Sequence, residues 1–500
     1  MPLRGPAPAK SLGEIPRDGY IVEKLFVETL PGFHVGVNIY RPASGAGKRP
    51  GVLVAHGHWK NGRIEHTEDY SVPALCAALA VNGYVALAYD MVGYNDTRQL
   101  PHKFGDSDEE RLWSFGPLSV QLWNSIRVLD YLAARPDVDP ARLAITGASG
   151  GGTQTYLLAA VDDRIKVSIP AVMVSAKFQG NDLCEMAPGL RIGTNNVELA
   201  ATVAPRPMLL LSSTRDWTSR VPTLEYPAIR KIYRLLGHPG RVESFQVDAG
   251  HGYNAAQRTV AIRFLGKHFA MPSGAPEPAA FKGPPEEFLI GPTTSATETV
   301  FLAWRRLLTR RNESVLPSQK VALLRELTGG NWPARVVFVA KNNEGSLRRE
   351  QADGVVPARL VPGSPAIPVI AVHRDGRAAA ERMKAVKAAA TNGSRILLID
   401  LFATANGPTP GLGRHSDHLV FHHSDDANRV QDILTAASWL AGQGAKRIRL
   451  ACDEDTGDLC RLAAAIAPIE LRVEVENSVG KKLLIPGLLA AGYPTLGTGI

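Results

Sequence analysis

Apolar runs too short to be helices alternate with stretches of helical periodicity from residue 20 to residue 270. Gly51–His56 (GVLVAH), Tyr84–Asp90 (YVALAYD), Arg142–Gly147 (RLAITG), Lys166–Val174, Met208–Ser213 and Val242–Val247 read as strands, with Thr29–Arg41 as a hairpin arm. Pro73–Val81 and Leu118–Ala134 read as helices. Runs without polar alternation belong to strands buried on both faces, which requires a parallel sheet with helices above and below. The prediction is an α/β chain built on a doubly wound, mostly parallel sheet.

Five hundred residues exceed one ordinary domain. Residues 1–19 are expected to be an N-terminal tail and 20–270 a first domain. Residues 271–292, with six prolines and no periodicity, read as an extended linker. Residues 293–500 repeat the α/β pattern, with strands at Val336–Ala340, Ile367–Val372, Arg395–Leu401 and Arg447–Ala451 and helices at Arg377–Ala390 and Val430–Gly442. This second half reads as a worn copy of the first. Asn82-Gly83 precedes a strand ending in Asp90, and Asn392-Gly393 precedes one ending in Asp400 at the same spacing. The strand before each runs into a histidine, His56 or His373. Aligning RLAITG with RIRLAC sets Glu454 opposite Ser149, so a second domain of this kind lacks a nucleophile and is expected to be non-catalytic.

The chemistry concentrates at Gly147-Ala148-Ser149-Gly150-Gly151, a G-x-S-x-G pattern between a strand and an apolar helix. There a sharp turn exposes a serine oxygen and aims the following N–H groups at a reacting carbonyl. Such a serine needs a base, and in chains with this turn the order is Ser, acid, His. His251, in the small-residue loop Asp248–Asn254, is the candidate base, with His238 the weaker choice. Asp216, directly after the strand MLLLSS, is the candidate acid ahead of Asp248 and Glu225. The oxyanion donors are expected to be the backbone N–H groups of Gly150 and of His58, in the loop His56–Lys60. Trp59 in that loop, Tyr94 and Asp96 in the long segment 92–115, Glu185 in the polar segment 179–196, and Trp217 are candidate substrate contacts.

His56 and His58 lie near His66, Glu65 and Glu68, yet two loop histidines without a third fixed ligand are a weak zinc signal, so no metal is expected. Nor is any cofactor needed for the chemistry proposed for Ser149. Cys76, Cys184, Cys452 and Cys460 form no C-x-x-C pair, which leaves buried thiols or a disulfide. The net charge of +8 is dispersed among nearly as many acids, so a nucleic-acid partner is not expected. No run reaches the roughly 18 apolar residues of a membrane span, so no membrane partner is expected either. The opening residues lack the apolar core of a secretory signal. Location is left open between the cell interior and an outer compartment reached with a trimmed leader. Oligomeric state is also left open.

Several segments of residues 20–270 carry a family resemblance: Asp90–Asp96, Gln121–Ser125, Thr146–Gln154, Asp216-Trp217-Thr218, and His251 followed by Tyr253-Asn254. They resemble the acetyl xylan esterase and cephalosporin deacetylase branch of the α/β-hydrolases, and more closely bacterial multi-domain proteins of acetyl xylan esterase type. The resemblance covers about half the chain. It implies an α/β-hydrolase fold and ester hydrolysis of a small-molecule or polysaccharide substrate, with Ser149, Asp216 and His251 in the triad roles. Glucuronoyl esterases carry arginine directly after the serine, where this chain has Gly150.

Overall fold

The computed structural model describes residues 1–278, 283–291, 297–350, 354–405, 407, 417–476 and 483–493. The chain divides into two compact units, residues 1–106 with 115–307 and residues 107–114 with 308–500. Among the described residues, no helix is long and apolar enough to cross a membrane.

The first unit carries nine strands: β1 (Ala9–Arg17), β2 (Tyr20–Leu30), β3 (Phe33–Pro42), β4 (Arg49–Ala55), β5 (Val85–Tyr89), β6 (Val138–Ala148), β7 (Ile165–Ala171), β8 (Met208–Ser213) and β9 (Val242–Val247). Their order is β1-β2-β3-β5-β4-β6-β7-β8-β9. The first three pair antiparallel, as β3 does with β5, and every later pairing is parallel. All of β5 and nearly all of β4 are buried, as expected of apolar runs covered on both faces. Helix Val72–Val81, capped by the Ser71 hydroxyl on the N–H of Ala74, lays Leu75 and Leu79 on one face of the sheet. Helix Ala255–Phe269 adds Ile262 and Leu265, and each such side chain contributes roughly 1.5–3 kcal/mol by leaving water. The chain runs from β4 outward to β5 and then back across to β6, so the strand order reverses at β4. Loops leaving the C-terminal ends of β4 and β6 therefore border a crevice, the usual place for a ligand in such sheets.

Two expected boundaries are corrected. Residues 1–19 are not a tail, because Ala9–Arg17 adds an edge strand to β2. Its side chains are mostly exposed, so no apolar alternation announced it. The proline-rich stretch is not a free spacer where it is described. Phe288 is fully buried against Tyr40, with ring centroids 5.8 Å apart, and its carbonyl accepts from Asn38 Nδ2 at 3.0 Å. Proline density disfavours long helices and ladders but not docking, and a single 3₁₀ turn, Glu286–Phe288, forms within the stretch. Residues 279–282 and 292 of that stretch lie outside the described residues.

Beneath β3 and β5 lies a charged cluster sealed from water. The Arg63 guanidinium pairs with Asp90 and Asp96 and donates from Nε to Asn38 Oδ1 at 2.8 Å. Asp96 also accepts the N–H groups of Ile290 (3.0 Å) and Gly291 (2.9 Å). Burial raises the Asp90 carboxyl pKa against the pull of Arg63.

The second unit has seven strands: β10 (Val336–Lys341), β11 (Glu344–Arg349), β12 (Val355–Val361), β13 (Ser364–Val372), β14 (Ser394–Ile399), β15 (Arg447–Cys452) and β16 (Glu470–Val475). Their order, β10-β11-β12-β14-β13-β15-β16, repeats that of β1 to β7 strand for strand, and so do the pairing directions. The register repeats as well. Ala55 faces Gly147 across β4 and β6, and Val372 faces Cys452 across β13 and β15. Ser149, two residues past Gly147, therefore corresponds to Glu454, two past Cys452. The Asp90 N–H reaches Gly36 O at 3.0 Å, and the Asp400 N–H reaches Pro357 O at the same distance. The second unit thus repeats the sheet of the first as a degenerate α/β-hydrolase-like domain, with Cys452 and Cys460 joined by a disulfide across the turn that corresponds to the one holding Ser149. The expected helix Arg377–Ala390 is broken into Arg377–Ala380 and Lys384–Thr391.

Asp432, inside the second unit, gives a pH prediction. Burial pushes its carboxyl up to about 7, although it accepts the Phe402 N–H at 2.7 Å and feels Arg349 and Arg429. An unfolded aspartate titrates near ~3.9, so between about pH 4 and 7 the folded state holds a proton that the unfolded state has lost. Stability from this group is full below about pH 4 and is lost as pH rises through about 7, on the order of 4 kcal/mol in all. Asp432→Asn keeps the acceptor without the charge. Thermal melts at pH 5 and 8 are expected to show the variant gaining most at pH 8; equal gains at both would count against the assignment.

Candidate active site

The turn after β6 holds Ser149 at φ 58° and ψ −125°, a conformation L-residues avoid. It is possible because the neighbours are small: a Cβ at Gly147 or Gly151 would collide with the carbonyl oxygen of Ala55 on the adjacent strand. Ser149 N–H is held by Ala171 O at 3.1 Å, and the helix Gly150–Val161 starts directly behind it. Its N–H groups, unpaired within the first turn, face the crevice end of the sheet.

Asp216 leaves β8 and His251 leaves β9, both at the same C-terminal end as Ser149. His251 Nδ1 lies 3.0 Å from Asp216 Oδ1, while the other carboxylate oxygen accepts the Thr218 N–H at 3.3 Å and its hydroxyl. The Asp216 side chain is 1% exposed and the histidine 27%, so the carboxylate is fixed from within while the ring edge stays open. The imidazole lies between Trp59 (5.5 Å, 6° between planes) and Trp217 (4.2 Å, 41°). Trp59 in turn stacks on Tyr70 at 3.7 Å. Gly57 brings these groups together: a Cβ there would collide with the Trp59 ring and stand 2.9 Å from Ser149 Cβ.

The competing candidates lie elsewhere. His238 precedes β9, at the opposite end of the sheet. Asp248 points to solvent and pairs with Arg215 at 2.6 Å. Glu225 is buried and accepts the Ala176 N–H at 2.9 Å. His56 is sealed inside, with Nδ1 on Gly57 O (2.8 Å) and Nε2 accepting Met91 N–H (2.9 Å); burial pushes it down to about 3, so it stays neutral.

The His58 ring lies over the Ser149 turn, where a Cβ on Gly150 would stand 2.8 Å from its Cε1. Burial lowers the pKa of that ring. Tyr94 packs edge-on against His56 at 5.0 Å and His102 at 5.2 Å, on the rim of the site. Trp217 stacks on Phe178 at 4.3 Å and packs at a tilt against His251 at 4.2 Å. Two expected substrate contacts are corrected. Asp96 is consumed by Arg63 and two backbone N–H groups. Glu185 is 2% exposed, caps the Asn181 N–H at 3.0 Å and faces His58 Nδ1 at 3.6 Å. Both residues sat in long polar loops, and burial inside a loop leaves no mark on composition.

One grouping escaped the sequence. His58, His102, Asp182 and Cys184 place a ligand atom each within 4.8 Å of one another, a set able to hold a metal ion. They come from three separate loops with no fixed spacing. In the set read as a weak zinc signal, His66 bonds Ser71 Oγ at 2.6 Å and Glu65 accepts the Asn61 N–H at 2.9 Å.

The sheet order, the turn and the gathered loops define an α/β-hydrolase fold, and the chain is similar to hydrolases and esterases of that fold. The Bacillus subtilis (strain 168) protein named "Putative hydrolase YtaP" is 27% identical over 289 residues, 53% of this chain and 94% of that one. Among solved structures, methylesterase BT1017 is 29% identical, with a TM-score of 0.50 over 63% of this chain and 71% of its own. A glucuronoyl esterase from Solibacter usitatus is 14% identical, with a TM-score of 0.40 over 53% of this chain and 87% of its own. No family model matches the chain.

Proposed function

We propose that the first unit hydrolyses a carboxylic ester of a carbohydrate through Ser149, His251 and Asp216. The observation that carries this is the 3.0 Å contact of His251 Nδ1 with the buried Asp216, at the sheet end where the strained Ser149 turn opens. Ser149 Oγ attacks the acyl carbon as His251 Nε2 takes its proton. The oxyanion is met by the N–H groups of Gly150 and His58, which need not reorganise as charge develops. The imidazolium, steadied by Asp216, protonates the departing alcohol, and water activated by the same ring then frees the acid. Acetyl esters of polysaccharide are the first substrates to try. Methyl esters of uronic acids come next, given the likeness to a methylesterase.

The test is a panel of nitrophenyl acetate, acetylated xylan, a methyl-esterified polyuronate and peptide amides. Hydrolysis of an ester without amide cleavage is expected; the reverse preference would make the chain a peptidase. On the best ester, His251→Ala is expected to reduce kcat by at least about 10⁴-fold, since base and nucleophile act as a unit. His238→Ala is expected to stay within about threefold of the parent, because surface substitutions away from the chemistry matter little. A large loss from the second with none from the first would reassign the base.

A further inference from the structure

We infer that His58, His102, Asp182 and Cys184 form a zinc site beside the nucleophile turn, a feature independent of which ester is cleaved. His58 Nε2 stands 3.0 Å from Cys184 Sγ, and His102 Nε2 stands 3.2 Å from Asp182 Oδ1. All four donor atoms fall within 4.8 Å of one another. Zinc bonds of ~2.0–2.3 Å imply tetrahedral edges of ~3.3–3.8 Å, so the donors sit near the spacing the ion demands. Small side-chain shifts close it.

The hydrogen bonds around the cluster support a cation. His102 Nδ1 is 2.7 Å from Val92 O, a contact that requires a proton on that nitrogen. Its Nε2 then presents a lone pair to a carboxylate that also offers only lone pairs, and the two lack hydrogen-bond geometry. Something positive belongs between them. A second proton on the ring is one answer, with His58 and Cys184 then joined by a separate hydrogen bond at 3.0 Å, but a single cation accounts for all four donors converging on one point. His58 is oriented more loosely, with Nδ1 turned toward Glu185 Oε1 at 3.6 Å, beyond hydrogen-bond distance, and Nε2 to the sulfur at 3.0 Å. Histidines that bind metals are held as His102 is, the distal nitrogen on a carbonyl or carboxylate. Two imidazoles, a thiolate and one carboxylate oxygen favour zinc over magnesium or calcium. Four protein ligands also leave no open coordination position, so the ion is structural and ties the loops after β4 and β5 to the segment 182–184.

The experiment uses the full chain expressed with added zinc and exchanged into metal-free buffer. About one zinc per chain is expected, and stripping it should lower the first unit's melting midpoint by about 5 °C or more. Cobalt-loaded protein is expected to show a thiolate-to-cobalt charge-transfer band, absent from Cys184→Ser. His102→Ala should weaken zinc binding at least about 100-fold, measured by competition with a chelator. Circular dichroism establishes that each variant is folded, and either one alone suffices if the other fails to fold. Metal-free wild type after supplementation, or a charge-transfer band that survives in folded Cys184→Ser, overturns the site and leaves a protonated His102–Asp182 pair.

Discussion

Ser149→Ala is expected to abolish ester hydrolysis, with kcat falling by at least about 10⁴-fold while the melting midpoint stays within a few degrees. The loss should match that of His251→Ala, and the double variant should be scarcely worse than either, because a base without a nucleophile has no proton to take. Burst kinetics on a nitrophenyl ester give an independent reading, since the acyl-enzyme burst requires Ser149 Oγ. Turnover within about tenfold of the parent would dismiss Ser149 as nucleophile. A residual rate above water is still expected, because the Gly150 and His58 donors remain.

The second large effect is on stability. Arg63 is fully buried and is the shared partner of Asp90 and Asp96. Arg63→Met leaves both carboxylates inside without their cation and is expected to cost about 3–5 kcal/mol, near 10 °C in the first unit's melting midpoint. The deficit has a sign in pH. Burial already raises the Asp90 pKa, and removing Arg63 raises it further. A carboxyl whose folded pKa exceeds its unfolded one stabilises at low pH, and that stability is lost as pH rises through the folded value. The variant should therefore recover part of the loss at pH 5 relative to pH 8. A loss under about 1 kcal/mol, flat with pH, would mean that water reaches the pair.

Much of this was written locally in the chain. The strands β4, β5, β6 and β8 announce themselves because each is an uninterrupted apolar run. The Ser149 turn does so because its pattern, Gly147 to Gly151, occupies five consecutive residues. His251 and Asp216 were legible as the ends of consecutive strands. What stayed hidden depends on contacts remote in sequence. Strands β1, β11 and β16 lie toward the outside of their sheets, where polar residues are tolerated and periodicity fades. Residues 107–114 belong with the second unit although 1–106 and 115–307 form the first, a division no linker composition signals. The role of Asp96 follows from an arginine 33 residues earlier, and the His58 cluster from a cysteine 126 residues later.

The repeated sheet offers an internal control on the cost of an active site. Both copies turn from strand to helix after corresponding strands, and on the proposed function only the first carries out a reaction there. Ser149 keeps a positive φ at that turn, whereas its counterpart Glu454 is not among the residues with positive φ. A backbone of this kind costs of order 1–3 kcal/mol, and selection maintains it only while a hydroxyl must be aimed. On that reading, loss of a nucleophile leaves the peptide free to relax, and a covalent link, Cys452 to Cys460, spans the same corner. Ancestral reconstruction of the second copy should then find the relaxed conformation arriving with or after the loss of its serine, never before it.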